Sequence, residues 1–357
     1  MKLFLVGGFL GSGKTTAIAT AAKLLTENNV PIAVITNDQG SQLVDGAFIN
    51  SLNVPGSEIK NGCFCCNYEQ FVSAILGLKK SVEPKIILAE AVGSCTDLIA
   101  TIVKPLSQFE PAIDISLSVF ADGPVLLSSL EGRSSFVSDN IQYIYKKQLE
   151  EAAIIIVNKA DLLGEEERDK IESMVLAEYP GKKLLVQDSR DETSVTTWLD
   201  TMEETNTTRN AEALNIHYDK YAAGEAALAW LNATVTIHSP ANAMSKACTF
   251  IDDMFAEISF QKFPIGHLKF FLQTGNWKRK ISYTSNKGAK RGNFNQGLSA
   301  DHATVIVNAR IETHPDDLKK IFYQLVTKIE DENSQIEVLN LESFKPGYPQ
   351  PTYRLIK

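Results

Sequence analysis

The sequence predicts an α/β protein, with a mostly parallel sheet in its first part and a smaller, ferredoxin-like α/β domain in its second. Three observations carry this expectation. Residues 8–15 read G-F-L-G-S-G-K-T between an apolar run and a helical pattern. Later apolar runs, "IAVITND", "KIILAE" and "AAIIIVNKAD", each end in polar residues, as buried parallel strands do. A polar stretch without apolar period then precedes a second set of strand and helix patterns. The expected domains are 1–204 and 216–357, joined by a linker at 205–215.

Composition sets outer bounds. The 357 residues are 44% hydrophobic and 22% charged, enough for two domains with a core each. A net charge of −8 argues against a nucleic-acid or acidic-membrane partner. Apolar runs such as "AAIIIV" fall far short of the roughly 20 residues a membrane helix needs. The opening "MKLFLVGGFLG" leads into "GSGKTT" instead of a small-residue cleavage site, so it reads as a buried first strand. A cytoplasmic protein is expected, and there thiols stay reduced.

The first strand delivers the chain to G-x-x-x-x-G-K-[ST], the P-loop of a nucleoside-triphosphatase domain. Gly8, Gly11 and Gly13 let the backbone turn its N–H groups, with those of Ser12 and Thr16, onto phosphate oxygens at a helix N-terminus. Lys14 is expected to reach the β- and γ-phosphates, and the Thr15 hydroxyl to ligate Mg²⁺. The second strand ends in Asn37 and Asp38, and a later one in Glu90-x-x-Gly93. An acid after such a strand holds the Mg²⁺ hydration shell, and the Gly N–H senses the γ-phosphate. Asp38 and Glu90 are both candidates for the acid that orients the attacking water. At the end of the next apolar run stands Asn158-Lys159-Ala160-Asp161. Asp161 can accept both the N1–H and the 2-amino proton of guanine, which adenine cannot offer. Asn158 would brace the loop, and the Lys159 stem would lie along the base.

Between the Asp38 loop and the Glu90 strand lies "NGCFCCN", with Cys63, Cys65 and Cys66 inside four positions. A disulfide does not suit a reducing compartment, and a redox centre would not explain the nucleotide site beside it. Thiolate ligands for Zn²⁺ or a neighbouring ion such as Co²⁺ fit better. Three sulfurs leave one tetrahedral position open, which suits a metal that must be handed over. Asp38 is a further candidate ligand. Cys95 follows Glu90-x-x-Gly93 and could approach the site, but reads better as a small packing residue, and Cys248 reads as core on a helix.

These motifs, "GGFLGSGKTT", "NDQG…VDG", "NGCFCC", "ILAEAVG" and "NKADL", stand in an order that resembles the CobW-like family of P-loop GTPases. The resemblance covers most of residues 1–200. It implies GTP hydrolysis coupled to metal delivery, with the C-x-C-C motif binding zinc or cobalt. It also carries Lys14 and Thr15 to phosphate and Mg²⁺, and Asn158 and Asp161 to guanine. Two departures stand out. The family's first loop often reads N-E-F-G-E, whereas here it is Asn37-Asp38-Gln39-Gly40-Ser41, and the His-rich tract of many members is missing.

In the second half, "LNATVTIH", a helix over about 240–257, "GHLKFFLQT", "KRKISYT", "ATVIVNARIE", a helix opened by "HPDD" and "QIEVLNL" give the ferredoxin-like order. His267 reads as a core residue and His314 as a helix starter. The basic stretch 277–292, with Trp277 and Tyr283, reads as a solvated hairpin, with an acidic partner surface or RNA as alternatives.

The expected function is a Mg²⁺-dependent GTPase, slow on its own because no arginine finger or catalytic Gln is identifiable, that carries Zn²⁺ or Co²⁺ to a metal-acceptor protein. A homodimer is a candidate assembly. The rivals are a regulatory GTPase switch with a structural metal site and a small-molecule kinase using ATP, against which N-K-A-D speaks.

Overall fold

Strand β1 (Lys2–Gly8) occupies the middle of a seven-stranded sheet in the computed structural model, which describes residues 1–39, 43–60, 62–133, 136–207, 212–284 and 299–356. Every residue of β1 after Lys2 is buried. The other strands are β2 (Ile32–Asn37), β3 (Gly56–Ile59), β4 (Ile86–Glu90), β5 (Asp114–Asp122), β6 (Ile154–Asn158) and β7 (Lys183–Gln187), in the order β3-β2-β4-β1-β5-β6-β7. All neighbours pair in parallel. β2, β4 and β6 are buried at every position, as expected when helices cover both faces. Parallel pairing brings the carboxyl ends of β1, β2, β4 and β6 to one edge, where open α/β sheets bind ligands.

Helix α1 (Lys14–Glu27) follows β1 directly and buries Ala17, Ile18, Ala21 and Ala22, a 3–4 spacing that packs one stripe on the sheet. α2 (Val44–Asn50) follows β2, α3 (Tyr68–Val82) follows the cysteine segment, and α4 (Lys104–Phe109) follows β4 through a π-turn at Ile99–Val103. The remaining helices of this half are α5 (Gly123–Leu130), α6 (Asp139–Glu151), α7 (Glu165–Glu178), α8 (Glu192–Glu204) and α9 (Tyr218–Ala226).

The second half follows the expected pattern: β8 (Ala229–His238), α10 (Ala243–Phe260), β9 (Ile265–Thr274), β10 (Trp277–Tyr283), β11 (His302–Ile311), α11 (Pro315–Ile329) and β12 (Gln335–Phe344). Its sheet is antiparallel throughout, in the order β10-β9-β11-β8-β12. The four strands other than β10 have the ferredoxin-like arrangement, and β10 extends it as a hairpin on β9. α10 and α11 bury Phe250, Ile251, Met254, Leu318 and Phe322 in the core. His314 caps α11, its Nδ1 accepting from the Asp316 N–H, and His267 and Cys248 are buried, as read from the sequence. Of the basic stretch, 285–292 lies outside the described residues.

By packing, the chain divides into Met1–Gln39, Ile49–Gly224 and Tyr348–Lys357 as one unit, and Gly40–Phe48 with Glu225–Gly347 as the other. The expected linker at 205–215 thus falls within the first unit, as do residues 216–224, and residues 348–357 group with that unit instead of with 225–347. In the second unit Asp45 is clamped by Lys269 (2.5 Å) and Lys280 (2.7 Å). Burial works against its charge, yet the two ammonium groups hold its carboxyl well below the usual range.

Candidate functional site

The phosphate loop is shaped by glycines that nothing else could replace. Gly8 has φ 124°, and a Cβ there would lie 2.2 Å from the Phe120 carbonyl oxygen. Gly13, at φ 94°, caps α1, and its Cβ would strike Asn158 Nδ2 at 2.2 Å. The close approach at Gly13 is put to use: Asn158 Nδ2 donates to the Ser12 carbonyl at 2.7 Å. Asn158 Oδ1 in turn accepts from the Ser189 N–H and hydroxyl. The guanine-type motif therefore braces the phosphate loop across 146 residues of sequence.

Lys14 Nζ donates to the carbonyls of Gly8 (2.7 Å) and Phe9 (3.1 Å), which holds the ammonium inside the loop. The Thr15 hydroxyl donates to Glu90 Oε1 at 2.9 Å, both groups being buried. That hydroxyl–carboxylate pair is an all-oxygen set of the kind a hard divalent cation takes. Gly93 lies against the phosphate loop: a Cβ there would sit 2.7 Å from Leu10 Cδ2 and 3.0 Å from its backbone N.

The base-side residues come together too. Lys159 adopts φ 62° and places its ammonium 2.6 Å from Asp122, which fixes the stem. Asp122 also caps α5 through the Val125 N–H. Asp161 pairs with Arg190 at 2.5 Å, but the Arg190 side chain is 65% exposed. An exposed pair contributes at most about 1 kcal/mol, so a base edge offering two donors can displace it.

The three sulfurs meet at the start of α3. Cys63 Sγ is 2.8 Å from Cys65 Sγ and 3.2 Å from Cys66 Sγ, and Cys65 and Cys66 are 3.8 Å apart. Their ligand atoms form the metal-competent cluster found among the described residues, and Asp38 lies outside it. Zn–S bonds of about 2.3 Å in a tetrahedron set sulfurs roughly 3.8 Å apart, so the cluster needs to open by at most about 1 Å. A turn makes this convergence: the N–H groups of Cys66 and Asn67 both donate to the Cys63 carbonyl. Gly62, at φ 152°, lets the chain enter it, where a Cβ would meet Asn67 Nδ2 at 2.2 Å.

Two features here were not read from the sequence. Asn37 Nδ2 donates to the Ile59 and Gly62 carbonyls, and its Oδ1 accepts from the Phe64 N–H. It therefore grips both sides of the cysteine loop, next to buried Asp38, whose carboxylate accepts from the Gln39 N–H. Cys95, read as a packing residue, is buried with its thiol hydrogen-bonded to Cys65. Its position two residues after Gly93 was the signal available. Hydrogen bonds with Cys63, Cys66 and Cys95, with burial added, push Cys65 well above the usual thiol range. Its bond to Cys63, with burial, pushes Cys66 up to about 11.

Comparison with known proteins places this geometry. The chain is 32% identical to the zinc chaperone YeiR of Escherichia coli over 162 residues, covering 44% of this chain and 46% of that protein. It is 26% identical to the zinc chaperone CobW of Pseudomonas aeruginosa over 224 residues, covering 54% and 57%. The chain thus spans about half the length of the curated relatives it matches. Among solved structures, nickel-bound HypB from Helicobacter pylori aligns over 60% of this chain and 91% of that one, at 15% identity and a TM-score of 0.43. The nucleotide-binding domain that defines CobW, HypB and UreG matches residues 2–186, from β1 to the end of β7, and the chain belongs to that family.

Proposed function

We propose that the protein is a Mg²⁺-dependent GTPase that binds Zn²⁺ or Co²⁺ through Cys63, Cys65 and Cys66 and releases it to an acceptor protein as its nucleotide state changes. The observation that carries this reading is Asn37. It ends the strand that leads into the Asp38 loop, and its side chain holds the cysteine loop at Ile59, Gly62 and Phe64. A shift of the strand end is thereby a shift of the sulfurs.

The steps follow from the chain's own groups. Backbone N–H groups of residues 11–16 receive the phosphates, and Lys14 turns from the Gly8 and Phe9 carbonyls to the β- and γ-oxygens. Thr15, with Glu90 beside it, would hold Mg²⁺, which would supply neutralisation of the charge that develops on those oxygens. Asp161, released from Arg190, accepts the guanine donors, while Asn158 keeps the phosphate loop in register. Asp38 or Glu90 orients the attacking water. The Gly93 segment, packed on Leu10, responds to the γ-phosphate, and Cys95 moves with it.

Raised thiols favour protonated sulfur in the empty site, so metal entry expels protons and metal affinity rises with pH. Three sulfurs leave one tetrahedral position, which suits a metal that must be handed over. The zinc chaperones among the relatives support zinc as the cargo. A reducing, cytoplasmic setting suits five free cysteines. Among the described residues no helix is long and apolar enough to cross a membrane.

The test is a competition titration of the reduced protein with Zn²⁺ and Co²⁺, in Mg²⁺ with GDP or a non-hydrolysable GTP analogue. Thiolate-to-Co²⁺ charge-transfer absorption and an affinity change of at least about tenfold between nucleotides (about 1.4 kcal/mol of coupling) are expected. Equal affinities would favour a regulatory switch with a static metal.

A further inference from the structure

Residues 348–356 have no role in the reading above, yet they lie on the cysteine loop. Their sequence is Tyr-Pro-Gln-Pro-Thr-Tyr-Arg-Leu-Ile. Proline carries no N–H and holds the residue before it extended, so between Pro349 and Tyr353 only Gln350 and Thr352 have a backbone donor. The Thr352 N–H donates to the Cys65 carbonyl at 2.8 Å, and its hydroxyl lies 3.4 Å from the Cys66 carbonyl. Thr352 thus acts on the two adjacent cysteines.

The next residues anchor the segment. The Tyr353 ring stands edge-on to Tyr68, the first residue of α3, at 5.1 Å, and against Phe109. Arg354 Nε is 2.6 Å from Asp97, whose side chain is 1% exposed, and its Nη2 donates to the Leu214 carbonyl. Asp97 also accepts from the Tyr218 hydroxyl. The Leu355 N–H donates to the Ala100 carbonyl. Asp97 and Ala100 follow Gly93 and Cys95 in the chain, so one short segment touches both the metal loop and the stretch that answers to the γ-phosphate.

We propose that residues 352–355 form a strap that sets the geometry of the cysteine site, with Thr352 as the positioning residue and Arg354 as its lock. The strap fixes the Cys65 carbonyl, and hence the backbone that carries its sulfur, and places the Thr352 hydroxyl beside the Cys66 carbonyl. Partners of this kind orient metal ligands without touching the metal, and their loss costs about 10–100-fold in affinity. Arg354 suits the lock because removing one member of a buried charge pair strands the other. The proposal rests on the cysteines being the metal site.

The experiment measures Co²⁺ affinity by charge-transfer absorption against a competing chelator, and GDP affinity in parallel. The variants of the full chain are Arg354→Met, Arg354→Lys and Thr352→Pro, which deletes one N–H and the hydroxyl. Arg354→Met and Thr352→Pro are expected to weaken Co²⁺ binding at least about tenfold and to leave GDP affinity within about twofold, with Arg354→Lys recovering part of the loss. A chain ending at Gly347 is expected to regain Co²⁺ affinity when a synthetic peptide of residues 348–357 is added. Unchanged Co²⁺ affinity in both point variants overturns the strap. Parallel losses of metal, nucleotide and melting temperature overturn it as well, reducing the segment to general support. A missing charge-transfer band in the unaltered protein overturns the reading of the cysteines, and the strap with it.

Discussion

The phosphate loop and the cysteine loop are both short, glycine-containing turns that lead into a helix, and they are held by opposite means. The phosphate loop is shaped by its own backbone: Gly8 and Gly13 adopt positive φ, α1 begins at once, and Lys14 bonds back to the loop's carbonyls. Its chief distant support is the single amide of Asn158. The cysteine loop is gripped instead from β2 by Asn37 and from far along the chain by Thr352. A site that must keep its form through each turnover is built locally. A site that must alter its affinity is better built from parts that can move separately.

That contrast can be broken most forcefully at Lys14. Lys14→Ala removes the cation for the transferring phosphate and is expected to lower GTP turnover about 10²–10³-fold. Co²⁺ binding without nucleotide should be unchanged, because the carbonyls that hold Lys14, those of Gly8 and Phe9, belong to the phosphate loop. A joint loss, read by turnover and charge-transfer absorption on one sample, would show that the two loops are one structural unit.

Asn37→Ala sharpens the comparison at an intermediate scale. It deletes three hydrogen bonds to the cysteine loop and leaves the phosphate loop intact. Co²⁺ affinity should fall about tenfold, and the difference between GDP- and GTP-analogue-bound forms should shrink with it. Retention of the full nucleotide effect would assign the coupling to another route.

The smallest expected effect on either site comes from Glu151, which accepts from the Thr96 hydroxyl and the Ile99 N–H beneath the Gly93 segment. Burial, with the Asp97 charge nearby, pushes it up to about 8. Below its unfolded value of 4.5 both states hold the proton, so nothing is lost. As pH rises towards about 8 the unfolded chain gives the proton up and the folded one keeps it, so stability declines. Glu151→Gln should flatten that decline between pH 5 and 8, and be worth a few kcal/mol at the upper end. Melting temperatures across that range, with GDP affinity as the control, would read it. A slope identical to that of the unaltered protein would clear Glu151 of the role.

Legibility in the sequence followed distance along the chain. The phosphate loop, the Asn158–Asp161 motif, the cysteine triplet and the succession of strands and helices along the second half are local patterns and were readable, whereas the pairing of those strands was not. β5 was not singled out, for a physical reason. Its "DISLSVFAD" alternates small polar and apolar residues like a half-exposed strand, yet everything after Asp114 is buried. The Ser116 hydroxyl donates to the Met202 carbonyl, and the Ser118 hydroxyl accepts from the Trp198 indole, which makes burial tolerable. The 348–356 segment escaped notice because its partner lies nearly 290 positions away. A proline-flanked polar stretch carries no periodicity from which a partner could be inferred.

The bond between Thr352 and Cys66 encloses 286 positions of sequence, including nearly all of the second unit, which is therefore an insertion within the first. Closing so long a loop costs little more entropy than closing one half its length, by about 0.6 kcal/mol. What it does impose is an order of manufacture. During synthesis the cysteines leave the ribosome long before their brace, and the whole β8–β12 sheet must be made in between. A nascent chain halted anywhere in that interval already carries the phosphate loop and the three thiols, without the segment that sets them.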